Sequence, residues 1–317
     1  MRCIKMSIKK VVVAGGGVLG SQIALQTAYC GFDVTIWLRS EGSIERAKPK
    51  LERFKNIYVD TLEAMKTDPS AYCRGLAKST DLSAEELDEL KQKAQDAYDS
   101  LTLTTSYEEA AADADLIIEA IAENPEQKIA FYTELAKYME DKTILVTNSS
   151  TLLPSMFAEY TGRPEKYLAL HFANTIWANN TAEVMGHPGT EQEYYDQVAQ
   201  FAEDINMIPL KLKKEQPGYI LNSLLVPFLN AGQALLANDV ADHETIDKTW
   251  MLATGAPAGP FHILDIVGLT TAYNIVVMNP ESKDPDTTAG KIAKMLKEKI
   301  DAGETGINAG KGFYDYS

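Results

Sequence analysis

Cysteine is scarce in this chain. Only Cys3, Cys30 and Cys73 occur in 317 residues, an odd number without metal-ligand spacing. A disulfide framework and a thiolate metal centre are therefore not expected, and a reducing compartment is. No run of about 18 apolar residues exists, so no membrane-spanning helix is expected. Positive charge is short too: 30 Lys and Arg face 45 Asp and Glu, for a net charge of −15. No Lys/Arg cluster supplies the basic stripe that nucleic acid needs, and an anionic membrane repels such a chain. A phosphorylated ligand is still allowed, because a few local cations and backbone N–H groups suffice to hold one. The opening Met1 to Met6 is too short and polar for a signal peptide, Met6 is an alternative start, and the cytoplasm is the expected location.

What is present reads as two domains. Lys10 to Ala14 is a short apolar run that ends in Gly15, Gly16 and Gly17, as a buried strand entering a tight turn does. Val18 to Tyr29 has the look of a helix closed by Gly31, and Val34 to Leu38 of a second strand. Further strands are expected at 116–120, 143–147, 167–171 and 208–212, mostly separated by helices. That alternation indicates a Rossmann-like, doubly wound, mostly parallel α/β sheet. Between them, 44–65 and 83–101 have helical spacing, the second with a Ser83/Glu86 capping box, and are expected to project from the sheet. After Pro217 the strand signals stop. Ile220, Leu221, Leu224, Leu225 and Phe228 form the apolar stripe of a helix that Pro227 should kink. More helices are expected at 244–253, 261–278 and 288–302. The expected division is a dinucleotide-binding domain over 1–212 and an all-helical C-terminal domain over 213–317.

The sequence Gly15-x-Gly17-x-x-Gly20 sits between a strand and a helix. The first glycine permits the turn, the second admits a pyrophosphate, and the third allows close helix–strand packing, with Val18 and Leu19 in the helix's first turn. An acidic residue at the end of the second strand would serve the adenosine ribose of NAD. Here Leu38 stands there, followed by Arg39 and Ser40. Leucine accepts no hydrogen bond, whereas arginine and serine donate to a 2′-phosphate, so NADP is favoured over NAD.

Ligands of open parallel sheets lie beyond the carboxyl ends of the strands. Glu119, Glu123, Asn148, Ser149, Ser150 and His171 fall there. The other histidines, His187, His243 and His262, lie in a Gly/Pro loop or in the helical region. His171 is the histidine placed to take a proton near neutral pH, although a packed structural histidine also fits these facts.

Taken together, Gly15-x-Gly17-x-x-Gly20, Asn148-Ser149-Ser150, His171-Phe172-x-Asn174, Glu183, Pro217-Gly218-Tyr219-x-x-Asn222 and the tail Gly310-Lys311-Gly312-Phe313-Tyr314 resemble the short-chain L-3-hydroxyacyl-CoA dehydrogenases of the 3-hydroxybutyryl-CoA type. The resemblance implies a homodimer formed through the helical domain and an acyl-CoA substrate. It implies that His171 is the acid/base, that Glu183 pairs with it, that Ser150 binds the substrate oxygen at C3 and that Asn222 contacts the substrate. Glu123 and Lys128, together with Asn148, would line the cofactor pocket. Three departures stand out: Leu38 for the usual acid, Ala173 and Thr175 within the family's His-Phe-Phe-Asn-Pro, and a polar segment with Trp177 before Glu183. Lys48, Lys50 and Lys55 are surface lysines or contacts for CoA phosphates. A dehydrogenase of a free 3-hydroxy acid and a non-catalytic nucleotide sensor are the alternatives.

Overall fold

The structure, a computed structural model, describes residues 8–316; Cys3 and Met6 lie outside them. The chain divides into two compact units, one running to Ile220 and one from Leu221. The first contains β1 (Lys10–Ala14), α1 (Val18–Tyr29), β2 (Asp33–Trp37), α2 (Glu41–Ala64), α3 (Ala84–Ser100), β3 (Thr102–Thr104), α4 (Tyr107–Ala111), β4 (Leu116–Glu119), α5 (Pro125–Leu135), β5 (Ile144–Thr147), β6 (Tyr167–Phe172), β7 (Thr181–Gly186), α6 (Gln192–Asp204) and β8 (Ile208–Lys211). The strands form one eight-stranded sheet in the order β3-β2-β1-β4-β5-β6-β7-β8. All neighbours run parallel except β6 and β7.

Helices cover both faces, which is why the central strands are buried and mostly apolar, with polar residues such as Glu119, Thr147 and His171 towards their carboxyl ends. Val11 and Val13 bury against residues of α1, α2 and α3, including Ile23, Tyr58 and Ala94. Val12 and Ala14 point the other way, to Phe131, Tyr132 and Leu135 of α5. The sharp turn after β1 depends on Gly15, at φ +126°, and on Gly20, where a Cβ would stand 2.2 Å from the Gly15 carbonyl oxygen. Only glycine at both positions lets α1 start this close to the strand.

Helices α2 and α3 do not project. Leu51, Tyr58, Leu62, Leu87, Ala94 and Ala97 bury one face of the pair in the main core, against α1. The reason is amphipathicity: each helix carries a continuous apolar stripe that is stabilised only by burial. The Ser83/Glu86 capping box is present. Two strands escape the sequence reading, the three-residue β3 and the six-residue β7.

The second unit contains α7 (Leu221–Ala237), α8 (His243–Thr254), α9 (Pro260–Val267), α10 (Leu269–Val276) and α11 (Thr288–Asp301). α7 continues through Pro227. The single helix expected over 261–278 is two, because Gly268, at φ +90°, breaks it. Phe261, Leu264, Leu269 and Leu296 centre its core. Buried Asp265 fixes the C-terminal tail by accepting from the backbone N–H groups of Phe313 (2.8 Å) and Tyr314 (2.9 Å). Among the described residues, no helix is long and apolar enough to cross a membrane.

Candidate active site

Polar side chains gather at the carboxyl ends of β4, β5 and β6. The antiparallel register pairs His171 on β6 directly with Glu183 on β7. Directly opposed residues of neighbouring strands present their side chains on the same face. His171 Nδ1 and Glu183 Oε2 are 3.0 Å apart, with both residues buried. On the other side of the ring, His171 Nε2 lies 3.3 Å from Ser150 Oγ. One ring nitrogen is thus held by a carboxylate while the other faces a hydroxyl in the turn after β5. Glu183 Oε1 also accepts from the Ile220 backbone N–H at 2.8 Å, and the Tyr219 ring stacks on His171 with centroids 4.4 Å apart at 15°.

The Ser150 turn is held from beneath by Glu123. Its Oε1 accepts from the Ser149 hydroxyl (2.5 Å), from the Ser150 and Thr151 backbone N–H groups (3.0 Å each) and from the Thr151 hydroxyl. Burial raises the pKa of this carboxyl, but the Ser149 hydroxyl, Lys128 and Thr151 outweigh burial and hold it below the ordinary glutamate value. Asn148 uses its side-chain oxygen on the Phe172 N–H at 3.0 Å, tying β5 to β6. Lys128 is 1% exposed and donates to the fully buried Glu119 at 2.6 Å; Glu123 lies 3.5 Å away. Glu119 further accepts from Tyr132 (2.5 Å), Thr147 (2.7 Å) and the Ile121 N–H (2.9 Å). Asn222 lies half-buried near the start of α7, in the second unit.

A cavity of about 630 Å³ opens beside the glycine turn. Gly15, Gly17, Leu38, Arg39, Arg46 and Lys50 are among the residues lining it. Val18, exposed, and Leu19, half-buried, begin α1. A dinucleotide fits these residues on three observations. A Cβ at Gly17 would meet nothing within 4 Å, so the turn has open space before it. The helix it opens has no side-chain cap and no acid in its first turn, leaving its N–H groups for phosphate. The indole nitrogen of Trp37, which also lines the cavity, is buried without a hydrogen-bond partner. Leu38 is 3% exposed and turned towards Gly16, so no carboxylate stands at the end of β2. Ser40 pairs with Ser43 at 3.0 Å, and Arg46 donates to the Ser43 hydroxyl at 2.9 Å.

The departures in the 173–180 segment now have a physical form. Thr175 adopts φ +60°, which proline cannot, and the Thr175 and Ile176 N–H groups both donate to Gln22. Trp177 turns into the core, 5.5 Å from Tyr58 and 5.8 Å from Phe54 between ring centroids. The three lysines proposed for CoA phosphates do not converge. Lys48 pairs with Glu45, Lys55 lies over the Tyr98 ring, and Lys50 reaches the Gly16 carbonyl in the glycine turn. Thr151, Trp37 and Arg46 are not singled out by the sequence, and Tyr219 and Ser149 enter it only by their places in the motifs; Thr151 meets its partner Glu123 from far away in the chain, whereas Arg46 meets Ser43 within its own helix.

Known proteins match the chain along nearly its whole length. The NAD-binding domain of 3-hydroxyacyl-CoA dehydrogenases matches residues 10–216, and the C-terminal domain of the same family matches residues 218–316. The 3-hydroxybutyryl-CoA dehydrogenase of Clostridioides difficile is 31% identical over 310 residues, covering 97% of this chain and 99% of the relative. The mitochondrial hydroxyacyl-coenzyme A dehydrogenase of Rattus norvegicus is 29% identical over 98% of this chain and 92% of its own. Among solved structures, a diketoreductase described by its substrate-directed dual catalysis of dicarbonyl compounds is 46% identical, with a TM-score of 0.83 over 98% of this chain and 100% of that one.

Proposed function

Because the chain belongs to the 3-hydroxyacyl-CoA dehydrogenase family, we propose that it interconverts 3-hydroxyacyl and 3-oxoacyl groups, as the CoA thioester, with His171 as acid/base. The observation that carries this reading is the Glu183–His171–Ser150 line at the carboxyl end of the sheet, with Glu183 and His171 buried and Ser150 half-buried. The bound nicotinamide supplies the hydride acceptor or donor. In oxidation, the C3–H bond breaks with hydride loss and the C3 hydroxyl gives its proton to His171 Nε2. Glu183 fixes the ring through Nδ1 and favours the imidazolium that forms. Ser150 donates to the oxygen at C3, and Asn222 contacts the substrate. In reduction the same proton returns from His171 to the carbonyl oxygen.

The cofactor-binding domain is that of an NAD enzyme family; we further propose a preference for the 2′-phosphorylated form. Leu38 offers neither hydrogen bonds to a ribose nor repulsion to a phosphate. Arg39, Arg46 and Lys50 line the same cavity, two of them exposed. A hydrogen bond to a charged group contributes about 1.5–3 kcal/mol, so one arginine favours the phosphate by roughly ten- to a hundredfold. The second unit exposes Leu224 (70%), Leu252 (76%) and Met278 (81%), which supports a homodimer through this unit. Cys30 and Cys73 are free thiols, in keeping with the cytoplasm.

A second reading keeps the catalysis but replaces the thioester with a free 3-oxo acid or another dicarbonyl compound. It is favoured by the 46% identity to a diketoreductase. Oxidation of NADPH and NADH, followed with acetoacetyl-CoA, free acetoacetate and a diketo ester, separates the two. Turnover is expected to fall by about 10²–10⁴ in His171→Ala, the usual worth of general acid/base help. No turnover with any of these compounds, despite tight NADPH binding, overturns both readings in favour of a nucleotide sensor.

A further inference from the structure

We infer that Tyr219 is a positioning residue that holds the catalytic histidine and the Ser150 turn in one geometry; this rests on the role proposed for His171. Four observations meet in it. Its ring lies almost parallel to the His171 imidazole, centroids 4.4 Å apart at 15°. Its hydroxyl donates to the Ser149 carbonyl at 2.6 Å, one residue before the serine that faces His171 Nε2. The next residue, Ile220, donates its N–H to Glu183 at 2.8 Å. Finally, Tyr219 is 1% exposed and has φ +55°, directly after Gly218 at φ +77°.

A bulky side chain in the left-handed region is disfavoured and persists only where its surroundings hold it there. Here that backbone turn is what lays the ring on His171 while the following N–H reaches Glu183. One short segment thus braces all three members of the catalytic line: the ring plane of His171, the carboxylate behind it and the loop in front of it. Burial raises the Tyr219 pKa far above the usual tyrosine range, with the charges of Glu123, Glu183, Glu119 and Glu215 adding to it. The hydroxyl therefore stays a donor throughout the working pH range. The face of an aromatic ring also attracts a cation, so the stack favours the imidazolium formed during oxidation.

The two roles separate by substitution. Tyr219→Phe keeps the stack and removes the tether; Tyr219→Leu removes both. For Tyr219→Phe, kcat is expected to fall about three- to tenfold, the worth of a hydrogen bond of roughly 1 kcal/mol, with cofactor KM within twofold and the acidic limb of the pH–rate profile unmoved. For Tyr219→Leu, kcat falls further and that limb moves to lower pH, because the ring no longer favours the protonated imidazole. The carboxylates around the pair, Glu183 on β7, Glu123 beneath the turn, Glu119 at the end of β4 and Glu215 after β8, are unchanged in both variants. NADPH binding followed by fluorescence checks that each is folded; if Tyr219→Leu is not, Tyr219→Phe decides alone. A wild-type kcat in Tyr219→Phe, or an unmoved acidic limb in a folded Tyr219→Leu, overturns the inference. Absence of turnover in the wild type, by contrast, overturns the proposed reaction itself.

Discussion

Replacing Glu119 with glutamine tests how the floor of the site is held together. Glu119 is fully buried, and its carboxylate lies 2.6 Å from the ammonium of Lys128, itself 1% exposed. Glutamine keeps the shape: its oxygen at the Oε1 position still accepts from the Ile121 N–H and Lys128, while its NH2 at the Oε2 position donates to the Tyr132 and Thr147 hydroxyls instead, so the change is mainly one of charge. Removing one partner of a buried ion pair costs about 3–5 kcal/mol, because the other charge is left without compensation. Glu123, at 3.5 Å and partly exposed, takes up some of that charge, which points to the lower end, near ~3 kcal/mol. Against a total stability of about 5–15 kcal/mol this is a large loss. Urea unfolding read by tryptophan fluorescence measures it. A Trp250→Phe background confines the signal to the first unit, which carries Trp37 and Trp177. The double variant Glu119→Gln/Lys128→Met removes both charges at similar volume and should regain most of the loss, a coupling of at least ~2 kcal/mol between neighbours. A loss under about 1 kcal/mol with an unchanged denaturant slope, or a double variant no more stable than Glu119→Gln, refutes the reasoning.

Three further outcomes are expected. Glu183→Gln should lower turnover by less than His171→Ala and move the acidic limb of the pH–rate profile downward, because a neutral amide favours the imidazolium less; an unchanged profile counts against the pairing. Gly20→Ala drives a Cβ to 2.2 Å from the Gly15 carbonyl oxygen, so NADPH affinity measured by fluorescence titration should fall at least tenfold; retained affinity means the turn is not the phosphate cradle. Glu123 has a lowered pKa when folded, so its contribution to stability is present above the ordinary glutamate value of about 4.3 and is lost as pH falls through the lower folded value. The stability gap between wild type and Glu123→Gln should therefore narrow on acidification below about pH 4, and a gap that stays constant down to pH 2 contradicts the assignment.

Strands buried on both faces announce themselves in the sequence. β1, β2, β4, β5 and β6 are mostly apolar runs, and all five lie where the sequence indicates to within about two residues, the usual scatter of element ends. β3 is only Thr102–Thr104 and too short and polar to register. β7 is hidden for a different reason. Its sequence, Thr181-Ala182-Glu183-Val184-Met185-Gly186, carries a buried carboxylate in the middle of the strand. Local rules read a charge there as the end of an apolar run. The residue that conceals the strand is the one the proposed chemistry requires, and a functional site is where sequence rules are expected to fail. The projecting helices were misread in the opposite direction. Their charged faces are plain in the sequence, while nothing in it shows that α1, near α2 in the chain and distant from α3, covers their apolar stripes. Trp177 likewise reads as part of a polar substrate loop until Phe54 and Tyr58 are seen to receive it.

The same distinction governs the site. His171 is legible because it ends an apolar run, and strand ends are where an open parallel sheet binds its ligands. Its partner is not, since residues 171 and 183 are brought together only by the antiparallel return of β7. A slip of one residue there would set Ala182 or Val184 opposite His171 and turn Glu183 to the other face of the sheet. On the proposed roles of His171 and Glu183 the register is therefore itself part of the catalytic apparatus, and the fold fixes it from three sides. β8 pairs Leu210 with Glu183. Tyr195 donates to the carbonyls of both Val184 and Leu212 at 3.0 Å. On the side of β6 that carries His171, Ala169 packs with Met185, Leu212 and Tyr219, while Leu168, Leu170 and Phe172 fill the main core on the other. The hydrogen-bonded pair of His171 and Glu183 keeps its partners only while its strands do not slide, and the residues that prevent sliding are ordinary packing residues. Their contribution to catalysis lies in the spacing they enforce, which no inventory of polar groups in the sequence contains.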